Sequence, residues 1–301
     1  MKQICLLLLV LFSLHQLTAQ EVNVTSGQVV RHADFPSDFV DPRNVDVWLP
    51  VGYSHEKSYS VLYMHDGQML FDATTTWNEQ EWGVDEVMTR LKKENKIRDC
   101  IVVGIWNNGD KRHAEYFPQR SWDYVSKSKQ EKILKAKHSN VHPGMFKQGL
   151  LADNYLRFLV RELKPFIDST YRTYPCKENT FIMGSSMGGL ISCYAICEYP
   201  GVFGGAICMS THWPAINGVT LKYVADNLPN PATHKIYFDY GTATLDSLYE
   251  PYQLKVDAMM LKRGYQQDIN FISRKFKGAA HTETDWEKRL HIPLKFMLKE
   301  D

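Results

Sequence analysis

The segment Gly184-Ser185-Ser186-Met187-Gly188 combines a nucleophile with the spacing that would expose it. Ser186 has a glycine two positions before it and another two positions after it. An apolar run over 180–183 precedes the segment, and a helical pattern over 188–198 follows it. A serine on a sharp strand-to-helix turn projects its Oγ from the top of a sheet, and bulk at the flanking positions would clash there. The turn also puts Ser186 at a helix N-terminus, so the Met187 N–H is a candidate donor to an oxyanion. A Gly/Ser turn without chemistry fits the bare pattern too, but the strand and helix flanks favour the nucleophile.

A serine hydroxyl is a weak nucleophile until a base takes its proton and an acid orients that base. After a nucleophile elbow the order along the chain is serine, acid, histidine. The histidines downstream are His212, His234, His281 and His291. His281 is the expected base, because it stands in a small-residue loop directly after an apolar run over 269–276. His234 precedes a strand, at the wrong end of a sheet. His291 falls within a terminal helix, and His212 follows the strand after the elbow, where it could line a pocket. The acid should follow the next-to-last strand, which makes Asp246 the first choice and Asp239, inside that strand, the alternative. Glu250 is read as the start of the next helix. The loop His65-Asp66-Gly67-Gln68 follows an earlier strand, and the Gln68 amide is the candidate second oxyanion donor. His65 and Asp66 are read as braces of that loop rather than as a catalytic pair.

These residues need a scaffold, and the pattern around them supplies one. Apolar runs at 45–49, 60–64, 100–105, 180–183, 205–209, 235–239 and 269–276 alternate with helical patterns at 82–92, 151–167, 188–198, 252–263 and 286–298. That alternation predicts an α/β fold, a mostly parallel central sheet with helices on both faces. The stretch 107–148 breaks the rhythm and is read as a surface insertion, a lid or substrate loop. His138 and His142 lie in it four residues apart, but their Ser-Asn and Pro-Gly surroundings do not look helical, so no metal is expected, and no cofactor either.

Composition narrows the partners. The chain has 301 residues, 35 basic and 34 acidic, with 44% hydrophobic residues. These values argue against disorder and leave no electrostatic footprint for nucleic acid. Residues 1–20 carry one lysine, an apolar stretch over 4–12 and a small-residue end, the form of a secretory signal peptide. Without them the chain is neutral and keeps Cys100, Cys176, Cys193, Cys197 and Cys208. An odd count in apolar surroundings suggests buried thiols rather than a disulfide framework. No other run is long enough for stable membrane insertion.

Taken together, the residues resemble the esterase D-like branch of the α/β-hydrolases. That branch holds feruloyl and acetylxylan esterases, siderophore esterases, S-formylglutathione hydrolases and mycolyltransferases. The matching pieces are Ser60 to Gln68, Trp82 to Glu86, Ile101 to Ile105, Arg112 to Tyr116, Gly184 to Gly189, Tyr240 to Thr242 and Gly278 to Trp286, in the family's order. The resemblance implies an α/β-hydrolase fold over 21–301. It implies a Ser186, Asp246 and His281 triad, and an oxyanion hole formed by Gln68 and Met187. Arg112, Glu115 and Tyr116 match a pattern near the pocket and become candidate substrate-side residues. Trp106, His212 and Trp213 join them, because they follow strand ends. The function this implies is an exported serine esterase acting through an acyl-enzyme on feruloyl or acetyl esters of polysaccharide or oligosaccharide. A siderophore trilactone esterase is the alternative, and a non-catalytic ligand-binding protein on a hydrolase scaffold is the rival from another class. A transacylase would use the same residues. Export argues against a cytosolic S-formylglutathione hydrolase.

Overall fold

The computed structural model describes residues 22–135 and 149–300. The expected signal peptide, His138 and His142, and part of the expected insertion lie outside the described residues.

Eight strands form one sheet in the order β1-β2-β4-β3-β5-β6-β7-β8. They are β1 (Gln28–Phe35), β2 (Arg43–Leu49), β3 (Ser60–His65), β4 (Cys100–Ile105), β5 (Thr180–Ser185), β6 (Gly205–Met209), β7 (Lys235–Gly241) and β8 (Phe271–Phe276). The β1–β2 and β2–β4 pairs are antiparallel, and every pair from β4 through β3 to β8 is parallel. This is the α/β-hydrolase fold, as expected. The helices used below are α1 (Val84–Lys93), α2 (Arg112–Tyr116), α3 (Lys127–Lys135), α4 (Ala152–Phe158), α5 (Lys164–Thr170), α6 (Met187–Glu198), α7 (Thr220–Asn227), α8 (Glu250–Arg263) and α9 (Glu283–Leu298).

The core has two layers because successive strand residues face opposite sides. On β3, Val61 and Tyr63 join the cluster containing α4 and α6, while Leu62 and Met64 join the one containing α1 and α9. With both faces covered, every residue of β3, β4, β5 and β6 is buried. That explains the unbroken apolar runs in the sequence. β1 escaped the sequence reading because it is an edge strand with mixed exposure, whose residues include Arg31, His32 and Asp34.

Two expectations change. The helical pattern at 151–167 extends to Thr170 but passes through a π turn at Leu159–Leu163. The stretch 107–148 is not all surface either. Its α2 packs on α4, and Ala114, Glu115 and Tyr116 are buried. The stretch looked like an insertion because of its Asn107-Asn108-Gly109-Asp110 start, its lysines over 127–137 and its Ser-Asn and Pro-Gly pairs, and none of these shows that Glu115 is buried against Arg43 of β2.

Candidate active site

Ser186 occupies the turn between β5 and α6 at φ 57° and ψ −121°. A positive φ strains any residue with a Cβ, and such strain gathers at functional sites. The turn is held from three sides. The Ser186 N–H donates to the Met209 carbonyl at 3.0 Å, and its carbonyl accepts from Leu190 at 3.1 Å and from His212 at 3.1 Å. The glycine spacing has a direct steric cause. A Cβ on Gly184 would sit 2.6 Å from the backbone carbon of Gly188. Met187 is the first residue of α6, so its N–H points out of the helix end beside Ser186.

His281 stands between β8 and α9. Its backbone N–H donates to Thr244 Oγ1 at 2.8 Å, and Thr282 caps α9 by accepting from Asp285. The imidazole Nδ1 lies 2.5 Å from Asp246 Oδ1. The ring edge packs on Trp286 with centroids 4.9 Å apart. Asp246 lies in a 3-10 turn after β7 and is buried. Its second oxygen accepts from Ser210 Oγ at 2.6 Å and from the Gly241 N–H at 2.6 Å. Burial alone would raise the Asp246 pKa. The hydrogen bonds from His281, Ser210 and Gly241 outweigh it and hold the carboxyl below its ordinary value.

Asp239, the alternative acid, has a different partner. It is fully buried and binds the Arg289 guanidinium at 3.1 and 3.2 Å, with Tyr237 and the Ser210 N–H also donating to it. Arg289 also donates to Ser210 Oγ at 2.8 Å, and Trp286 Nε1 donates to the same atom at 3.0 Å. Ser210, Trp286 and Arg289 therefore hold Asp246 and His281 in place. None of the three was identified from sequence in this role. Their partners lie 36 to 79 residues away, so local spacing carried no signal.

The third strand ends in a loop that bends at Asp66, with φ 58°, into a 3-10 turn at Gly67–Met69. Gly67 is required by close approach. A Cβ there would fall 2.5 Å from the Gly104 carbonyl carbon on β4. Gln68 sits inside that turn, where the first N–H groups have no intrahelical acceptor. Asp66 anchors the loop. Arg112 binds it bidentately at 2.7 and 2.7 Å, and Asn107 donates to it at 2.7 Å. Burial works to raise the Asp66 pKa, but Arg112 and Asn107 bring it below its usual value. His65 lies beneath, bonded to the Tyr155 hydroxyl at 2.8 Å, and burial pushes its pKa down to about 3. Both residues behave as the braces expected from sequence.

A cavity of about 740 Å³ opens at the carboxyl ends of the strands. Ser186, His281, Gln68 and Arg112 line it, together with Met69, Trp77, Trp82, Trp286 and the amides of Asn78, Gln80 and Asn107. Several candidate substrate residues do not reach it. Glu115 is 1% exposed and bound bidentately to Arg43 at 2.8 Å. Tyr116 is fully buried, with Asp66 N–H donating to its hydroxyl. Trp213 is also fully buried and donates to Gln253 at 2.7 Å. Trp106 turns its Nε1 to Asp46 at 2.7 Å under the Arg31 guanidinium. His212 binds the Tyr249 hydroxyl at 2.8 Å. Following a strand end places a residue near the site, but which way the ring turns depends on partners that sequence does not show. Trp77 took no part in the site read from sequence, yet it stands at the cavity rim 84% exposed. An aromatic next to Asn and Glu in a loop was the available signal.

The family model described as "Putative esterase" matches residues 37–296 of the chain. The uncharacterised protein YjcH of Bacillus subtilis (strain 168) is 24% identical over 223 residues, 73% of this chain and 75% of that one. Among solved structures, an IroE-like serine hydrolase from Shewanella oneidensis superposes with a TM-score of 0.66 at 19% identity, covering 90% of this chain and 78% of its own. A ferulic acid esterase superposes with a TM-score of 0.63 at 20% identity, covering 90% and 98%.

Proposed function

The chain belongs to the esterase family, and from that premise we propose that it is an exported serine carboxylic-ester hydrolase working through an acyl-enzyme. The observation that carries the reading is the 2.5 Å contact between His281 Nδ1 and Asp246, beside a cavity that also holds the strained Ser186. In this reading Ser186 Oγ attacks the ester carbonyl carbon while His281 Nε2 takes its proton. Asp246 accepts a hydrogen bond from Nδ1–H, which keeps Nε2 free as the base, and it stabilises the imidazolium that forms. The Gln68 and Met187 N–H groups receive the oxyanion. His281 then returns the proton to the leaving alcohol. Water, activated by the same imidazole, releases the acid from Ser186.

The cavity walls support a neutral, ring-bearing ester. Arg112, a cation facing the cavity, is already engaged by Asp66, and Glu283 adds an acidic group to the lining. Trp77 offers an open indole face at the rim, and amide side chains alternate with Met69 and the other tryptophans. Such a wall suits a feruloyl ring or the sugar of an acylated polysaccharide. The test is a panel of methyl ferulate, acetylated xylan and a catecholate trilactone, run with the wild type and with Ser186→Ala. The wild type should cleave the first two in preference to the third, and Ser186→Ala should fall to the buffer rate with an unchanged unfolding midpoint. Turnover retained by Ser186→Ala would refute the mechanism. Preference for the trilactone would refute the substrate class.

A further inference from the structure

The chain over 72–82 is a strap along one wall of the cavity, and hydrogen bonds pin it from end to end. At its start Asp72 accepts from the Thr74 N–H at 3.0 Å and from Thr74 Oγ1 at 2.6 Å. Thr76 Oγ1 donates to the Ala73 carbonyl at 2.9 Å. At its end the Trp82 N–H donates to the Met69 carbonyl at 3.0 Å, and the Trp82 ring packs on Trp286 with centroids 5.3 Å apart at 33°. Between these ends two side chains reach across to the start of α9. Asn78 Nδ2 donates to Glu283 Oε2 at 2.9 Å, and Gln80 Oε1 accepts from Thr284 Oγ1 at 3.0 Å. A single exposed aromatic is ordinary on a protein surface. Trp77 differs in its place, because a pinned turn holds it 84% exposed at the cavity rim, next to Asn78 and Gln80, which line the same cavity.

That wall adjoins the catalytic histidine. Glu283 and Thr284 stand two and three residues past His281, and His281, Thr282 and Glu283 line the cavity in succession. In the mechanism above, His281 Nε2 returns a proton to the leaving alcohol, so that oxygen must come within about 3 Å of the imidazole. The alcohol half of the ester therefore meets the imidazole and the groups beside it. Those groups are an open indole face, two amides and a carboxylate. The bonds to α9 leave the Gln80 N–H₂ as a donor and the second Glu283 oxygen as an acceptor. A sugar ring has an apolar C–H face and a rim of hydroxyls that both donate and accept. Its face matches an indole, and its hydroxyls match amides and a carboxylate.

We propose that the strap forms a leaving-group subsite for a sugar, with Trp77 as its stacking platform and Gln80 and Glu283 as partners for the hydroxyls. Specificity then lies in the alcohol of the ester more than in its acid, and Trp77 serves the sugar rather than an aromatic acyl ring. The proposal rests on reading Ser186 as nucleophile and His281 as base, since that reading decides which half of the ester meets His281.

The experiment uses pairs of esters that share an acid. Methyl ferulate is set against a feruloylated pentose oligosaccharide, and methyl acetate against an acetylated xylo-oligosaccharide. The readout is the ratio of kcat/KM, sugar ester over methyl ester, for the wild type, Trp77→Ala and Trp77→Phe. The wild type should favour the sugar ester in both pairs. Trp77→Ala should lower both ratios about tenfold, chiefly through the KM of the sugar esters, because stacking away from the reacting bond contributes uniform binding. Trp77→Phe keeps a smaller ring face and should recover part of the loss. Calorimetry with an unesterified xylo-oligosaccharide should show binding to Ser186→Ala that weakens about tenfold when Trp77→Ala is added. The proposal is overturned if both ratios for Trp77→Ala stay within twofold of wild type, or if Trp77→Phe is no better than Trp77→Ala. It is also overturned if methyl ferulate alone loses rate, which would put the acyl ring on Trp77, or if the oligosaccharide binds equally with and without Trp77. Failure of the mechanism itself would look different, since Ser186→Ala would then remain active, and the calorimetry does not depend on turnover.

Discussion

Asp246 and Asp239 are both buried within reach of Ser210, yet they should fail in opposite ways when neutralised. Asp246 accepts three hydrogen bonds, from His281 Nδ1, Ser210 Oγ and the Gly241 N–H. The Gly241 donor is backbone and cannot turn away. Asp246→Asn must therefore aim its carbonyl at Gly241 and its amide N–H₂ at His281 Nδ1. The imidazole must accept that bond, which moves its proton to Nε2, where the Ser186 proton should go. The fold keeps its shape, but the base has the wrong tautomer. The expected loss is about 10⁴ in kcat, roughly 5 kcal/mol of barrier. Asp239→Asn instead takes from the Arg289 guanidinium, whose side chain is 3% exposed, its nearer charged partner and leaves Asp246 at 3.9 Å. Breaking a buried pair from one side costs about 3–5 kcal/mol of stability. The remaining amide carbonyl can still accept from Arg289, so the lower end applies. Each variant is followed by urea unfolding and by initial rates on p-nitrophenyl acetate at a temperature where both are folded. Asp246→Asn should be stable and nearly inactive. Asp239→Asn should be less stable and, per folded molecule, within tenfold of wild-type kcat. If Asp239→Asn loses 10⁴ while Asp246→Asn keeps more than a tenth of the rate, the acid has been misassigned.

Two other perturbations probe the supports of the site. Gly67→Ala brings a Cβ to 2.5 Å from the β4 backbone, so the loop must shift the Gln68 amide; kcat should fall about 10²-fold or more with a lowered unfolding midpoint, read by rates and thermal melts. Glu81 lies beside Glu86 and Asp85, and burial, then those charges, raises its pKa to about 7, while Asp85 is raised to about 6. A carboxyl raised in the folded state contributes stability at low pH and loses it as pH climbs through the folded value, so Glu81→Gln should leave the melting temperature unchanged near pH 4 and raise it at pH 8. An equal shift at both pH values would mean that neither burial nor the neighbouring carboxylates raise the Glu81 pKa.

Legibility followed the range of the interactions. The parallel strands were readable because two covered faces demand continuous apolar residues, and the elbow was readable because its glycine spacing is a local steric rule. The pairing of His281 with Asp246 rather than Asp239 depended on loop position after β7, and the family resemblance left Asp246 the softest of the three assignments because the spacing from Gly241-Thr242 to the acid varies in that family. The aromatic candidates misled for one reason. Trp213 and Tyr116 bury their rings and Trp106 half-buries its own, each turns a polar atom to a distant partner, and residue type alone does not say whether that atom faces a substrate or Gln253, Asp66 or Asp46. Arg43 and Glu115, 72 residues apart, show the same limit for charges.

Ser210 shows how the scaffold offsets the cost of its own strain. It sits at φ 40° where β6 ends, one of four strained non-glycine residues around the site with Asp66, Ser186 and Thr244. A hydroxyl has one proton and two lone pairs. Ser210 uses all three, donating to Asp246 and accepting from Arg289 and Trp286. Two of those partners are charged, so these bonds are stronger than average. The directions are forced, because the Trp286 indole and the Arg289 guanidinium only donate, which leaves the Ser210 proton for Asp246 alone. Asp246 is thereby fixed as an acceptor, and its other oxygen has no role open but to accept a hydrogen bond from His281 Nδ1–H. Trp286 closes the circuit by packing its ring on that imidazole. The orientation of the His281 imidazole is set by a chain of donors with no free choice of direction, and backbone strain at one serine is a small cost against it.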